Sequence, residues 1–308
     1  MAEAIFNKLT LIGAGLIGSS IARAARDYAG AANIAIFDAS TDVMTRVRDL
    51  GIADEATGDL ASAVRGADLV IICTPVGVAG AVAQSIAPFL AEGAILSDVG
   101  SVKSAVVAQV APHVPAQACF IPAHPIAGTE FSGPDAGFAT LFQNRWCILT
   151  PPDDAPATAT EKLAAFWTRI GAKVEIMTAA HHDKVLALTS HLPHLIAYNI
   201  VGTADDFGEQ TRSEVIKFSA SGFRDFTRIA SSDPTMWRDI FLNNREAVLE
   251  MLGRFNEDLS ALQRMIRRGD GDGLFDFFTR TRAIRRSIIE QGQDTSAPDF
   301  GRGDAKRP

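Results

Sequence analysis

The stretch AHPIAGTEFSG at residues 123–133 places His124 among glycines and small polar residues. It is too polar and too interrupted to read as a buried strand or helix, so core packing does not explain the histidine. Histidine accepts a proton near neutral pH, which makes His124 a candidate general base, with a structural histidine as the alternative. Two further polar loops stand beside it in the chain, CTPVG (73–77) and SDVGSVK (97–103). Ser101 reads as a helix N-cap or as a site residue, because it precedes a helical run. Asp98 and Lys103 can likewise be structural. HHDKVLALTSHLPHLIAYN holds four of the six histidines: His181, His182, His191 and His194. His191 and His194 lie one helical turn apart, but without an HExxH glutamate or a neighbouring cysteine no metal is expected. Helix packing stays open for both, and Pro193 between them is expected to interrupt the regular helix. FRDFTR (223–228) gathers Arg224, Asp225 and Arg228, either as an exposed charged turn or as an anion site.

A second constellation is the glycine loop GAGLIG, with Gly13, Gly15 and Gly18 between an apolar run and a helical one. A dinucleotide fold needs glycine at these positions, for the tight turn, for pyrophosphate approach and for close helix–strand packing. The helix start that includes Leu16 and Ile17 would direct N–H groups at the phosphates. Asp38 closes the next apolar run and is placed to accept hydrogen bonds from ribose hydroxyls while repelling a 2′-phosphate. Arg46 lies too far along its helix for a phosphate clamp. NAD is therefore expected over NADP, with Thr74 and Pro75 in the following strand-end loop as further cofactor contacts.

Positioning these loops requires alternating strands and helices. KLTLI (8–12), NIAIF (33–37), DLVIICTP (68–75), AILSD (94–98) and CFIPA (119–123) are short apolar runs separated by helical stretches, one of them starting at Val102. This pattern implies a parallel sheet covered on both faces. WCILTP (146–151) and KVEIM (173–177) add two strands around the helix EKLAAFWTRIG. Beyond Met177 the strand signal ends. The fold class is α/β, a Rossmann-type N-terminal domain (1–177) followed by an all-α domain (178–291) and a loose tail (292–308). Asp233-Pro234 reads as an N-cap with proline at the first helical position, opening a helix through Trp237.

The chain has 308 residues, 47% hydrophobic and 21% charged, with a net charge of −7. That composition is globular, and the acidity argues against a nucleic-acid surface. The N-terminus lacks signal-peptide features and no apolar run reaches membrane-spanning length, so no membrane partner and a cytoplasmic location are expected. Cys73, Cys119 and Cys147 sit in apolar runs and read as reduced thiols.

GAGLIGSS, SDVGSVK, HPIAGTEFSG, SHLPH and FRDFTRIASSDPTMWRDIF, in this order over about residues 8–290, resemble the prephenate/arogenate dehydrogenases of tyrosine biosynthesis. The resemblance implies a stand-alone form, without a chorismate mutase segment or an ACT domain. It implies NAD-dependent oxidative decarboxylation of prephenate or arogenate. Under it His124 is the base at the C4 hydroxyl, Ser101 orients that hydroxyl beside the nicotinamide, and Thr129 and Glu130 line and gate the pocket. His191 and His194 face the substrate, Arg228 binds a carboxylate, Asp225 supports it through an ionic network, and Trp237 walls the pocket or belongs to the core. A homodimer through the helical domain is expected. Two other readings are a β-hydroxyacid-type dehydrogenase, relying on a lysine such as Lys184 or Lys217, and a non-catalytic NAD-binding regulator.

Overall fold

The computed structural model describes residues 3–129, 131–206, 214, 217–218 and 220–290. Six strands form one parallel sheet in the order β3-β2-β1-β4-β5-β6. They are β1 (Phe6–Ile12), β2 (Ala31–Phe37), β3 (Glu55–Ala56), β4 (Leu69–Ile72), β5 (Ile95–Asp98) and β6 (Cys119–Phe120). Helices α1 (Leu16–Asp27), α2 (Thr41–Leu50), α3 (Leu60–Val64), α4 (Ala79–Ile86) and α5 (Ser104–Val110) make the crossovers. β4 shows why its sequence is apolar throughout: Leu69 and Ile71 join one core with Ile21 and Trp167, while Val70 and Ile72 join another with Ile86 and Val106. The expected α/β class is therefore the observed one. β3 escapes a sequence reading because two residues carry no periodicity.

The chain runs from β1 to one side of the sheet and from β4 to the other. Ligands of such sheets bind where the strand order reverses, here beyond the carboxyl ends of β1 and β4.

CFIPA is not a single strand. β6 ends at Phe120, and β7 (Ala123–Pro125) pairs antiparallel with β8 (Trp146–Leu149) in a separate sheet completed by β9 (Lys173–Ile176). Pro122 between β6 and β7 has no N–H to continue a ladder, and its carbonyl accepts the Thr150 N–H at 2.9 Å. His124 therefore lies in a strand, opposite Ile148, with 8% of its surface exposed. The loop reading of His124 is corrected on this point: a polar residue can occupy a buried strand when its ring atoms find buried partners. Helix α6 (Ala157–Arg169) links β8 to β9.

The helical part comprises α7 (Ala179–Leu186), α8 (Leu192–Asp205), α9 (Ser221–Thr227), α10 (Pro234–Asn243), α11 (Arg245–Arg268) and α12 (Gly271–Glu290). Asp233 caps α10 as expected, its carboxylate accepting the Met236 N–H at 2.8 Å with Pro234 in the first turn. Pro193 does not break its helix. It falls in the first turn of α8, and a π turn at Ala187–His191 joins α7 to α8 and absorbs the irregularity. The chain divides into two compact units, Met1–Leu249 and Glu250–Pro308. Among the described residues no helix is long and apolar enough to cross a membrane.

Candidate active site

At the carboxyl end of β1, Gly13 has φ +103°, and a Cβ there would stand 2.9 Å from the Cys73 carbonyl oxygen beyond β4. The two loops thus meet at the switch point, and only glycine permits the contact. A Cβ on Gly18 would lie 2.1 Å from the Gly13 carbonyl oxygen, whereas one on Gly15 would meet nothing within 4 Å. Helix α1 opens with no side-chain cap and no acidic residue in its first turn. Its N-terminal N–H groups, around Leu16 and Ile17, are therefore suited to an anion.

The Asp38 carboxylate accepts the Ala14 and Ser40 N–H groups, each at 2.9 Å. It borders a cleft of about 220 Å³ lined also by Phe37, Ala39, Met44 and Arg48. Thr74, next to Pro75 after β4, has a buried hydroxyl with no hydrogen-bond partner. Arg46 is engaged by Asp135 at 2.6 Å rather than turned to this cleft. These features fit a dinucleotide.

At the end of β5, Lys103 and Asp98 form an ion pair, their side chains 0% and 3% exposed. Lys103 Nζ also donates to the Ala123 carbonyl at 2.7 Å, and the Ala123 N–H donates to Asp98 at 3.3 Å. The pair therefore staples the β5 loop to the strand that carries His124. Burial lowers the Lys103 pKa, against the opposing pull of Asp98. Removing one partner would strand a buried charge, so both side chains serve this joint. Half-buried Ser101 lies in the same loop, but α5 starts at Ser104 and Ser101 is not its cap. The Asp183 carboxylate takes that place, accepting the Lys103 and Ser104 N–H groups, each at 2.8 Å.

The histidines form a connected buried cluster. His124 Nδ1 lies 2.8 Å from His182 Nε2, and His182 Nδ1 lies 2.9 Å from Asp183 Oδ1. Burial lowers the His124 pKa well below the ordinary histidine value, helped by His182, Lys103 and His191. Burial also lowers the His182 pKa, although Asp183 opposes it. Burial pushes the Asp183 carboxyl upward, but its hydrogen bonds from His182, Lys103 and Ser104 outweigh this and hold it below the usual range. Around neutral pH the cluster thus contains one carboxylate and neutral imidazoles.

Asn244 orients the next ring. Its Nδ2 donates to the Asp183 carbonyl at 2.9 Å and to His191 Nδ1 at 3.0 Å. A neutral His191 must then carry its proton on Nε2, a buried atom without a hydrogen-bond partner. Trp237 is 6% exposed and stacks on His194, with ring centroids 3.7 Å apart. His194 Nδ1 donates to the Ser190 carbonyl at 2.9 Å. Burial lowers the His194 pKa, and Arg228 adds to the effect, so the guanidinium stands close enough to be felt.

Burial, chiefly, lowers the His191 pKa to about 4. An unfolded histidine binds its proton near 6.5, so acid favours the unfolded chain between those values. Stability is expected to fall by roughly 3 kcal/mol on this account as pH drops from about 6.5 to 4. Urea unfolding across that range should show a shallower slope for His191→Asn, and an unchanged slope would contradict the assignment.

The structure brings His124, His191, His194 and Trp237 into this cluster. Arg228 opens a short 3-10 turn after α9 and is exposed. Asp225 lies 4.0 Å from Arg224. Thr129 is exposed, and its hydroxyl accepts the Phe131 N–H at 3.3 Å. Glu130 and the tail from residue 292 lie outside the described residues. Sequence reasoning missed His182, Asp183 and Asn244 as members of the site. The adjacent His-Asp pair in HHDK was the available signal; Asn244 had none.

Comparison with known proteins gives consistent results. Residues 21–176 match the family profile "Prephenate dehydrogenase, nucleotide-binding domain", and residues 178–280 match "Prephenate dehydrogenase, dimerization domain". The chain is 43% identical to a cyclohexadienyl dehydrogenase of Zymomonas mobilis, over 92% of this chain and 97% of that protein. It resembles a crystal structure of Aquifex aeolicus prephenate dehydrogenase in complex with hydroxyphenyl propionate and NAD+ (TM-score 0.85, 32% identity, 92% and 98% of the two chains). A Synechocystis arogenate dehydrogenase structure is similar at TM-score 0.77 and 26% identity, over 91% and 99% of the two chains.

Proposed function

Since this chain belongs to the prephenate dehydrogenase family, we propose that it oxidatively decarboxylates prephenate to 4-hydroxyphenylpyruvate, and arogenate to tyrosine, with NAD+. The observation that carries this reading is a buried, neutral His124 hydrogen-bonded into a histidine–aspartate chain, in a fold with a dinucleotide cradle.

Gly13, Gly15, Gly18 and the start of α1 would hold the pyrophosphate, Asp38 the ribose, and Thr74 and Pro75 the strand-end side. NAD+, when bound, accepts the hydride that leaves ring C4. His124 takes the proton of the C4 hydroxyl as that carbon becomes carbonyl-like, which makes the hydroxyl acidic enough for a weak base. The bond from ring C1 to its carboxylate then breaks, CO2 leaves, and the electron pair aromatises the ring. His124 returns its proton to the phenolic oxygen, so the reaction releases none. Ser101 orients the C4 hydroxyl, and His191, which has no exposed surface, supports the substrate side from behind the Trp237 ring, their centroids 6.1 Å apart. Arg228 binds a substrate carboxylate, with Asp225, Thr129 and Glu130 around it. Trp237 and His194 form a flat wall for the ring.

Within this reading, residues 1–177 bind the cofactor and residues 178–291 shape the substrate side and the dimer. Exposed Leu259, Ile266, Phe275, Phe278 and Ile284 on α11 and α12 favour a homodimer. Its three free cysteines and its need for NAD+ favour the cytoplasm. Lys184 and Lys217 are exposed, which weighs against a β-hydroxyacid dehydrogenase.

The deciding assay follows reduced nicotinamide and CO2 with NAD+ or NADP+, each paired with prephenate and arogenate. Equimolar NADH and CO2 are expected, with NAD+ preferred. No reduction of either cofactor with either diene would leave the regulator reading in its place.

A further inference from the structure

We infer that His182, held by Asp183, is a positioning residue that fixes which nitrogen of His124 is free to accept a proton. The inference rests on His124 being the base of the proposed reaction. Donors and acceptors alternate along the buried chain from Asp183 through His182 to His124.

Asp183 is the fixed end. Its Oδ1 accepts from the Lys103 N–H and faces His182 Nδ1, and its Oδ2 accepts from the Ser104 N–H. A carboxylate only accepts, so His182 Nδ1 must carry a hydrogen. A neutral imidazole has one N–H, which leaves His182 Nε2 as a bare acceptor. Only a donor satisfies that atom at 2.8 Å, so His124 Nδ1 is protonated and His124 Nε2 is bare. A base with its proton on Nε2 would present a donor where the reaction needs an acceptor. His182 has no exposed surface, so it acts through His124 rather than on substrate. Asp183 also caps α5, which follows the Ser101 loop. One carboxylate therefore sets both the orientation of the base and the position of the loop beside it.

Two substitutions separate this role from simple packing. His182→Leu removes the acceptor while keeping the site apolar. His182→Gln can donate to Asp183 and accept from His124, restoring the direction of the chain. His182→Leu is expected to lower kcat by about tenfold to a hundredfold, with NAD+ affinity within threefold of the parent. His182→Gln should recover most of that loss.

Two-bond 15N–1H correlation spectra of histidine-labelled protein, assigned with His124→Asn, report the tautomer directly. The parent should show His124 protonated on Nδ1. An Nε2-protonated His124 in the parent overturns the inference even if His182→Leu fails to fold. It is also overturned if His182→Leu keeps its kcat, or if the Gln variant is as impaired as the Leu variant. Because the spectra need no turnover, failure of the proposed reaction would be seen separately, as an Nδ1-protonated His124 in a protein inactive on both dienes.

Discussion

His124→Asn is expected to reduce kcat by about a hundredfold to ten-thousandfold, the range typical of a lost general base, with NAD+ affinity within threefold. Asparagine can still donate to His182 Nε2, so the buried chain keeps a partner and the fold should survive. The cofactor cradle at Gly13, Gly15 and Gly18 belongs to other loops and contains no atom of His124. The loss should therefore fall on chemistry rather than on cofactor binding. The sign of the pH dependence follows from burial. His124 titrates well below the ordinary histidine value, so the parent should stay active into mildly acid solution, and its kcat/KM should fall only below about pH 6.5. Near-normal turnover by the variant would remove His124 from the mechanism and leave it as a satisfied strand residue.

Arg228→Ala is expected to raise the KM for the diene by about ten- to a hundredfold with a smaller change in kcat. A hydrogen bond between charged partners contributes about 1.5–3 kcal/mol, and each 1.4 kcal/mol is a factor of ten. The guanidinium depresses the His194 pKa, so it stands within electrostatic reach of the ring stacked on Trp237. A carboxylate bound there would meet the cation at the edge of the aromatic wall. Arg228→Lys should recover only part of the affinity, because an ammonium lacks the planar fork that fits a carboxylate. Steady-state kinetics with varied diene at saturating NAD+ separates the effects, and an unchanged KM would exclude this role.

The parts of the site legible in the sequence were those dictated by local backbone demands. GAGLIG was readable because a tight turn and a helix packed on a strand leave no room for a side chain at Gly13 and Gly18. Asp233-Pro234 was readable because capping is settled within four residues. The strand around His124 was not, because its burial depends on partners 58 residues away in the chain. The same holds for the cap on α5. Ser101 had the local credentials, but an aspartate from α7 supplies both hydrogen bonds. Asp98 and Lys103 can be read from the sequence as structural, but only the fold sets Lys103 against Asp98 and the Ala123 carbonyl. Distant partners, not local propensity, determine these residues.

The π turn at Ala187–His191 bears on any attempt to redesign this helix. A π turn behaves as a single-residue insertion in an α-helical segment, and each α-helical residue turns the chain by about 100°. Straightening the segment at constant length would rotate everything beyond it, and His194 would swing off the face of Trp237. The wide turn is thus a register device, and grafting these histidines onto an ideal helix would need one residue fewer to keep the same face.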